Sequence, residues 1–269
     1  MQGRLLHKYQ GRYQAHPKDY WRDEFKTAKE IGLDCIEFIL DFNDSQLNPL
    51  LAKNGLEEIL YLSEKTGVDV ITICADYFME APLHSEDLNV SLQSQKVLIR
   101  LLDNAQKLGV TDIVLPCVDQ SSLDGQVVID RFVKNFYPAV EVAEKSKINL
   151  SLETDLAPQP FGELLDRLKS NRVSVNYDIG NSASLGFDAK KEFITYGKRI
   201  KNVHVKDRVY KGNSVKLGYG NANFEKIFFL FSKIKYKGNY ILQTARAKNN
   251  RDHVAEIEEN LTKINKWIQ

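Results

Sequence analysis

Short runs of β-branched and apolar residues alternate along the chain with longer segments whose apolar residues recur three and four positions apart. The short runs have the period-two pattern of strands, and the longer segments have the spacing of amphipathic helices. Several helical segments end at a glycine, the usual C-terminal stop, at Gly32, Gly67 and Gly109. Seven strands are predicted in this way: 35–41, 69–78, 112–119, 149–155, 172–181, 200–208 and 238–246.

The repetition of strand and helix predicts a parallel sheet of the α/β class, because parallel strands need a crossover connection. MQGRLL at the start supplies a short or frayed first strand and brings the number of strands to eight. Eight units favour a closed (β/α)8 TIM barrel, and Gly3 and Gly11 lie too far apart for a dinucleotide-binding turn. No linker-like stretch interrupts the chain, so we predict a single TIM-barrel domain over residues 1–269.

The later strands carry polar residues on one face and apolar residues on the other. Because the apolar faces of barrel strands meet the surrounding helices, the polar faces are expected to look into the barrel. Glu153, Asp178 and His204 then point to a shared axis from three consecutive strands, and Gln243 lies at the matching level of the last strand. A single polar residue at a strand end is commonly a structural group whose hydrogen bonds are satisfied within the protein. Three such residues whose side chains all point into the barrel predict a site for a divalent metal ion (Mn, Co, Zn or Mg).

Composition narrows the choice of partner. The 37 basic and 36 acidic residues leave a formal charge of +1, which gives no reason to expect a nucleic-acid or membrane partner. No apolar stretch approaches the roughly 18 residues that cross a bilayer, and the opening lacks the apolar core of a signal peptide. The three cysteines, Cys35, Cys74 and Cys117, lie in apolar runs, as buried thiols of a reducing compartment do. We therefore predict a cytoplasmic protein whose partner is a small molecule.

Short motifs along the whole chain carry a resemblance to a known family. They are the opening MQGRL, IGLDCIEF around Glu37, SLETD, NYDIGN, VHVKDR and the glycine-rich LGYGNANFEKI. The chain resembles the xylose isomerase-like TIM barrels, especially their sugar phosphate isomerases and epimerases. The resemblance implies a divalent metal held by Glu153, Asp178, His204 and the residue at position 243. It also implies that the glutamates of the fifth and eighth strands move a proton beside the sugar carbonyl, which the metal polarises.

The sequence departs from the family pattern at two positions. The glutamate of the eighth strand is Gln243, whose amide oxygen can bind a metal but cannot take a proton. Asn181 follows three residues after Asp178, where many relatives carry a histidine near the substrate. A two-base epimerisation therefore loses one base, whereas an isomerisation or a dehydration with Glu153 as the only base survives the change better.

Three interpretations stay open. The first is a metal-dependent isomerase or epimerase of a small sugar or sugar phosphate, and the second is a metal-dependent lyase or dehydratase of a polyol or keto acid. The third is a non-catalytic sugar-binding relative, which the change to Gln243 favours. The DNA-repair endonucleases of the same superfamily are disfavoured, because their three-metal site needs more histidines than these strand ends supply.

Further polar residues are candidates for the reaction and for substrate contacts. Lys206 shares the inward face of His204 and can donate a hydrogen bond to a substrate oxygen or act as an acid, so the catalytic candidates are Glu153, Lys206 and Gln243. The arginines either bind a phosphate or carboxylate at the barrel mouth or form salt bridges with nearby aspartates. The substrate-binding candidates are Arg4, Glu37, Asp76, Asn181, Arg208 and Arg246. A homo-oligomer agrees with the resemblance, but no sequence feature decides the oligomeric state.

Overall fold

The computed structural model describes residues 1–2, 5–246 and 253–268, in which strands and helices alternate. The strands are β1 (Cys35–Ile39), β2 (Asp69–Cys74), β3 (Asp112–Cys117), β4 (Asn149–Thr154), β5 (Val173–Asp178), β6 (Ile200–Val205), β7 (Asp207–Arg208), β8 (Ser214–Val215) and β9 (Asn239–Leu242). The helices are α1 (Asp23–Ile31), α2 (Gly55–Thr66), α3 (Tyr77–Glu80), α4 (Leu88–Leu108), α5 (Gln126–Ser146), α6 (Pro158–Leu168), α7 (Ile179–Leu185), α8 (Ala189–Tyr196), α9 (Phe224–Lys233) and α10 (His253–Ile268). Within the described ranges, every helix is too short or too polar to cross a membrane.

The main sheet is parallel throughout and runs in the order β1-β2-β3-β4-β5-β6-β9. Met1 and Gln2 close it into a barrel, because they lie between the two edge strands. The N–H of Glu37 in β1 donates to the Met1 carbonyl at 2.9 Å, and the N–H of Gln2 donates to the carbonyl of Leu242 in β9 at 3.0 Å. The predicted (β/α)8 TIM barrel is thus confirmed, and Met1 and Gln2 are the described residues of its first strand that bridge the two edges.

The two faces of the strands have different chemistry, as the alternation predicted. Outward residues such as Tyr177 are buried against the helices, where its ring lies 5.3 Å from the ring of Phe193 and 5.9 Å from that of Phe231. The inward face of the barrel is polar at several levels. Near the start of the strands, Ser151 and Ser174 form a hydrogen bond of 2.8 Å. Because burial removes these groups from water, they depend on one another or on a ligand for hydrogen bonds.

The predicted strands end earlier in the structure than the sequence pattern suggested, and two of them are followed closely by a helix. The strand predicted over 69–78 stops at Cys74, and the chain turns into α3 at Tyr77. The strand predicted over 172–181 stops at Asp178, whose carboxylate accepts the Asn181 N–H at 2.8 Å. Asp178 is therefore the N-cap of α7, and such a cap satisfies a backbone donor that the helix leaves free. The side chain at the end of β5 thus ends the strand and begins the helix.

The loop that follows β6 is fixed by one buried carboxylate. Asp207, at the first position of the small β7–β8 ribbon, is fully buried. Its two oxygens accept the backbone N–H groups of Gly218 at 2.9 Å, Gly220 at 2.8 Å and Ala222 at 3.2 Å. Gly220 is required there, because a Cβ at that position would lie 2.2 Å from the Asp207 carboxylate. The glycine-rich motif before α9 thus wraps this aspartate.

We predict that Asp207→Ala lowers the free energy of unfolding by about 3 kcal/mol, because three buried N–H groups lose a charged acceptor. Urea denaturation followed by circular dichroism measures the change. The control is Asp188→Ala, which removes an exposed N-cap from α8 and should cost only about 1 kcal/mol. Equal losses in the two variants would contradict the view that Asp207 organises the loop.

Candidate active site

His204 lies at the centre of the polar barrel interior and is fully buried. Its Nε2 is 2.7 Å from Oε1 of Glu37, across the barrel on β1. Its Nδ1 faces the other way, 3.2 Å from Oε2 of Glu153 and 3.8 Å from Oδ2 of Asp178. The three residues that the sequence placed on one axis therefore meet around a single imidazole nitrogen.

Glu37 contacts the imidazole of His204 at Nε2, on the side of the ring opposite to Glu153 and Asp178. It is fully buried, and its Oε2 accepts hydrogen bonds from Thr72 at 2.9 Å and from Asn202 at 2.8 Å. Burial by itself would raise the pKa of Glu37, but the charge of His204 and its hydrogen bond hold that pKa below its usual value. Burial by itself would lower the pKa of His204, but the charge of Glu37 and the nearby carboxylates of Asp178 and Glu153 raise it well above the usual value. The geometry thus directs Nε2–H to Glu37 and turns Nδ1 towards the other two carboxylates.

Glu153 stands at the end of β4 with both of its oxygens engaged by amides. Asn176 donates to Oε2 at 2.6 Å, and Asn181 donates to Oε1 at 2.7 Å. The oxygen of Asn181 in turn accepts from Arg208 at 2.7 Å, so the guanidinium supports the carboxylate through the amide. These amides fix the orientation of the Glu153 carboxylate.

Asp178 carries two roles at once. One oxygen caps α7, and the other, Oδ2, lies 2.6 Å from Nζ of Lys206. Burial would raise the pKa of Asp178, but the cations of Lys206 and His204 lower it. The carboxylate is therefore charged, with a single oxygen turned towards the cluster.

Gln243 lies just beyond β9, and the register places it beside Lys206, because Val205 pairs with Leu242. Its N–H donates to the Val205 carbonyl at 3.1 Å, and its side chain is 2% exposed. Its Oε1 has no hydrogen-bond partner within the described part of the chain. A buried amide oxygen without a donor costs free energy, so its position is explained best by a partner such as a cation or a substrate hydroxyl.

The donor set fits a divalent cation. Ligand atoms that share a sphere with bonds of about 2.0–2.2 Å stand close to one another, as the Nδ1, Glu153 and Asp178 atoms do here. The second nitrogen of the ligand histidine is bound by a carboxylate, which is the usual support for a metal-bound imidazole. Gln243 brings a further buried oxygen, without a donor among the described residues, to the same end of the barrel, and oxygen is a ligand that hard cations prefer.

A second group of Glu37, Cys74 and His204 fits a metal less well. The Cys74 thiol of this group donates to Asp76 at 3.2 Å. Burial raises the pKa of Cys74 well above its usual value, so the sulfur stays a thiol, a poor metal ligand. The metal site supported by the geometry is the one at Nδ1 of His204.

The predicted substrate-binding residues are not all brought to this cluster. Glu37 lies beneath His204 as its support, and Asp76 accepts from Gln14 at 3.0 Å. The Arg246 guanidinium stacks 4.4 Å over the Tyr13 ring, and Arg4 lies outside the described residues. Asn181 donates to Glu153 and Arg208 donates to Asn181, so both are linked to the cluster through the Glu153 carboxylate.

Three hydrogen-bonding residues of the site, Thr72, Asn176 and Asn202, were missing from the sequence-based candidates. Asn176 and Asn202 have the same inward parity as Asp178 and His204, so the period-two pattern already contained them. Thr72 gave no such signal, because a threonine in a β-branched run is typical of any strand.

The structural class is a TIM barrel with a carboxylate–imidazole cluster at the C-terminal ends of its strands, where enzymes of this fold hold their active sites. The family model of the xylose isomerase-like TIM barrel matches residues 25–267. The chain therefore belongs to the xylose isomerase-like TIM barrel family, and the resemblance seen in its motifs is confirmed.

The relatives of the chain include sugar epimerases. The chain is 25% identical over 261 residues to L-ribulose-5-phosphate 3-epimerase UlaE of Escherichia coli strain SMS-3-5. The alignment covers 93% of this chain and 89% of that protein. Its structure is similar to that of D-psicose 3-epimerase with D-tagatose from Clostridium cellulolyticum H10, with a TM-score of 0.74, 17% identity, and coverage of 93% and 94%. A xylose isomerase-like TIM barrel protein from Mycobacterium smegmatis in complex with magnesium has a TM-score of 0.70, 18% identity, and coverage of 94% and 89%.

We predict that Glu37→Gln weakens Mn²⁺ binding by about 10–100-fold, because the amide NH₂ would face the Asn202 donor and the imidazole would lose its charged support. Isothermal titration calorimetry of the purified protein measures this change. The control is Glu192→Gln, which alters a carboxylate buried outside the barrel among the hydroxyls of Tyr177, Ser182 and Tyr196.

The control variant should keep the affinity of the native protein for Mn²⁺ even if its stability falls. Unchanged affinity in Glu37→Gln would contradict the assignment of His204 as an oriented ligand.

Proposed function

We propose that the chain is a sugar or sugar phosphate isomerase or epimerase that uses a divalent metal and Glu153 as its base. The observation that carries the proposal is the convergence of Glu153, Asp178 and His204 on one buried point at the C-terminal ends of the barrel strands. The similarity to L-ribulose-5-phosphate 3-epimerase and to D-psicose 3-epimerase supports a ketose as the substrate.

Glu153, Asp178, His204 and Gln243 would hold the metal. When bound, a divalent ion supplies Lewis-acid polarisation of the sugar carbonyl, which makes the neighbouring C–H more acidic. The magnesium in the similar Mycobacterium smegmatis protein supports a hard cation in this fold without choosing among Mn, Co, Zn and Mg.

Glu153 takes the proton from the carbon beside the carbonyl. Its two oxygens are held by Asn176 and Asn181, so the carboxylate is aimed before the substrate arrives. Such positioning lowers the barrier, because a general base must lie within hydrogen-bond reach of the proton that it removes. Asn181 and Arg208 therefore serve the substrate indirectly, through the orientation of the base.

The opposite side of the reacting carbon would face Lys206 and Gln243. Lys206 can donate a hydrogen bond to the oxygen on which charge develops, and Gln243 can orient a hydroxyl, but an amide cannot exchange a proton. A reaction in which Glu153 both removes and returns the proton fits these groups better than one that needs a base on each side. A dehydration, in which the proton is not returned to carbon, uses the same base and is the second candidate.

We predict that the protein incorporates solvent deuterium beside the carbonyl of a ketose, and that Glu153→Gln lowers this exchange by about 10²–10⁴-fold because the base is lost. NMR of D-psicose, D-tagatose and L-ribulose 5-phosphate recovered from D₂O measures the exchange. Glu163→Gln on the surface of α6 is the matched control and should exchange normally.

Absence of both exchange and sugar interconversion in the native protein, with every sugar and sugar phosphate tested, would refute the isomerase and the epimerase alike. Loss of water from a polyol or keto acid under the same conditions would then support the dehydratase.

We predict that Gln243→Glu raises 3-epimerisation of a ketose by about 10²-fold, because it restores a second carboxylate that can carry a proton. Chromatographic analysis of the two ketose epimers measures the rate, with Gln159→Glu on α6 as the control. Epimerisation that appears only in Gln243→Glu would mean that the native chain catalyses a one-base reaction or only binds sugar. A lower rate in Gln243→Glu would contradict the view that the amide is what limits epimerisation.

A further inference from the structure

The ammonium group of Lys206 and a bound metal ion would both use the same oxygen of Asp178. Its Oδ1 is used by the Asn181 N–H that caps α7, so only Oδ2 is turned into the cluster. Lys206 Nζ lies 2.6 Å from this Oδ2, and His204 Nδ1 lies 3.8 Å from it. A metal ion bound between His204 and Asp178 would therefore touch the same oxygen that the ammonium already contacts.

The stem of Lys206 is fixed against the first turn of α7. A Cβ built on Gly180 would lie 2.9 Å from Cγ of Lys206 and 3.1 Å from its backbone carbonyl group. Only a residue without a side chain lets the Lys206 stem pass there, and the whole residue is 8% exposed. The stem of Lys206 thus passes close to the backbone of Gly180, and its ammonium ends beside Asp178.

Lys206 lies among several buried carboxylates, and their charges bear on its role. Glu37, Glu153 and Asp178 bring three carboxylates to a buried imidazole. Burying several like charges is unfavourable unless cations stand between them. Besides His204, Lys206 supplies a positive charge from within the chain, where it pairs with Asp178, whereas a divalent ion supplies two charges only when it is bound. Because like charges repel at short range in a poorly solvated site, the ammonium opposes the metal while it stabilises the empty cluster.

We propose that Lys206 is a resident counter-cation of the candidate metal centre that shares Oδ2 of Asp178 with the metal and thereby lowers the affinity for it. The inference rests on the proposed function, because it takes Asp178 as a metal ligand. Lys206 is on this view a positioning residue as well as a hydrogen-bond donor to substrate. In the metal-free protein, Lys206 forms an ion pair with the Asp178 carboxylate. When a metal is bound, the ammonium allows it to dissociate more readily into solution.

The test is the affinity for Mn²⁺, measured by calorimetry on the full chain without substrate. Lys206→Met removes the charge and keeps an unbranched stem beside Gly180, and we expect it to bind Mn²⁺ about tenfold or more tightly than the native protein. We also expect the melting temperature of the metal-free variant to fall and the rise on adding Mn²⁺ to become larger. Lys190→Met, an exposed lysine on α8, is the control and should change neither quantity.

Two further variants separate charge from packing. Lys206→Arg keeps the charge and should leave the affinity within about threefold of the native value. Lys206→Gln keeps a donor for Oδ2 but has no charge, so it should tighten Mn²⁺ binding as Lys206→Met does, and it serves as the neutral variant if the methionine protein does not fold.

The outcomes distinguish this inference from the proposed function. If the native protein binds Mn²⁺ and both neutral variants bind it equally or more weakly, the counter-cation role is refuted while the metal site stands. If only the neutral variants bind Mn²⁺, the inference is supported in its strongest form. If neither the native protein nor any variant binds Mn²⁺, the metal part of the proposed function fails and the inference fails with it.

Discussion

The contact between Glu37 and His204 is the interaction on which the rest of the site depends. It joins strands that are 167 residues apart along the chain, at the centre of a barrel whose interior is polar. Fully buried partners of opposite charge stabilise each other only in one geometry, so the contact sets which imidazole nitrogen is left for a ligand. The barrel closure supports it directly, because the Met1 carbonyl accepts the N–H of Glu37 itself.

Much of this arrangement could be predicted from the sequence, because alternation along a strand reports which residues share a face. It brought Glu153, Asp178 and His204 to one axis, and the structure has them within a few ångströms of each other. The partner of His204 could not be found in this way, because parity says nothing about reach across a barrel. Glu37 was expected to touch substrate, yet its depth and its bonds to Thr72 and Asn202 make it a support for the imidazole.

The ends of the strands were the other limit of sequence reasoning. The mainly apolar segment 69–78 reads as one strand, with Asp76 as its last polar position, but β2 ends at Cys74 and the chain turns into α3 at Tyr77. At β5, a single residue decides the boundary, since Asp178 caps α7 and also faces His204. A polar residue at a strand end can thus serve the fold and the site together, and the sequence pattern alone does not separate the two roles.

Gln243 and Lys206, at the end of the barrel, act in the same electrostatic direction. Gln243 in place of a glutamate removes one negative charge, and Lys206 at the neighbouring register position adds one positive charge. A centre built in this way attracts a divalent ion less strongly than one with a fourth carboxylate, but an ion that does bind keeps more of its polarising power. Under the proposed function, the site would activate the sugar carbonyl strongly but would lack a second group that carries a proton. The reaction would then depend on Glu153 alone as the base, and on its orientation by the amides of Asn176 and Asn181.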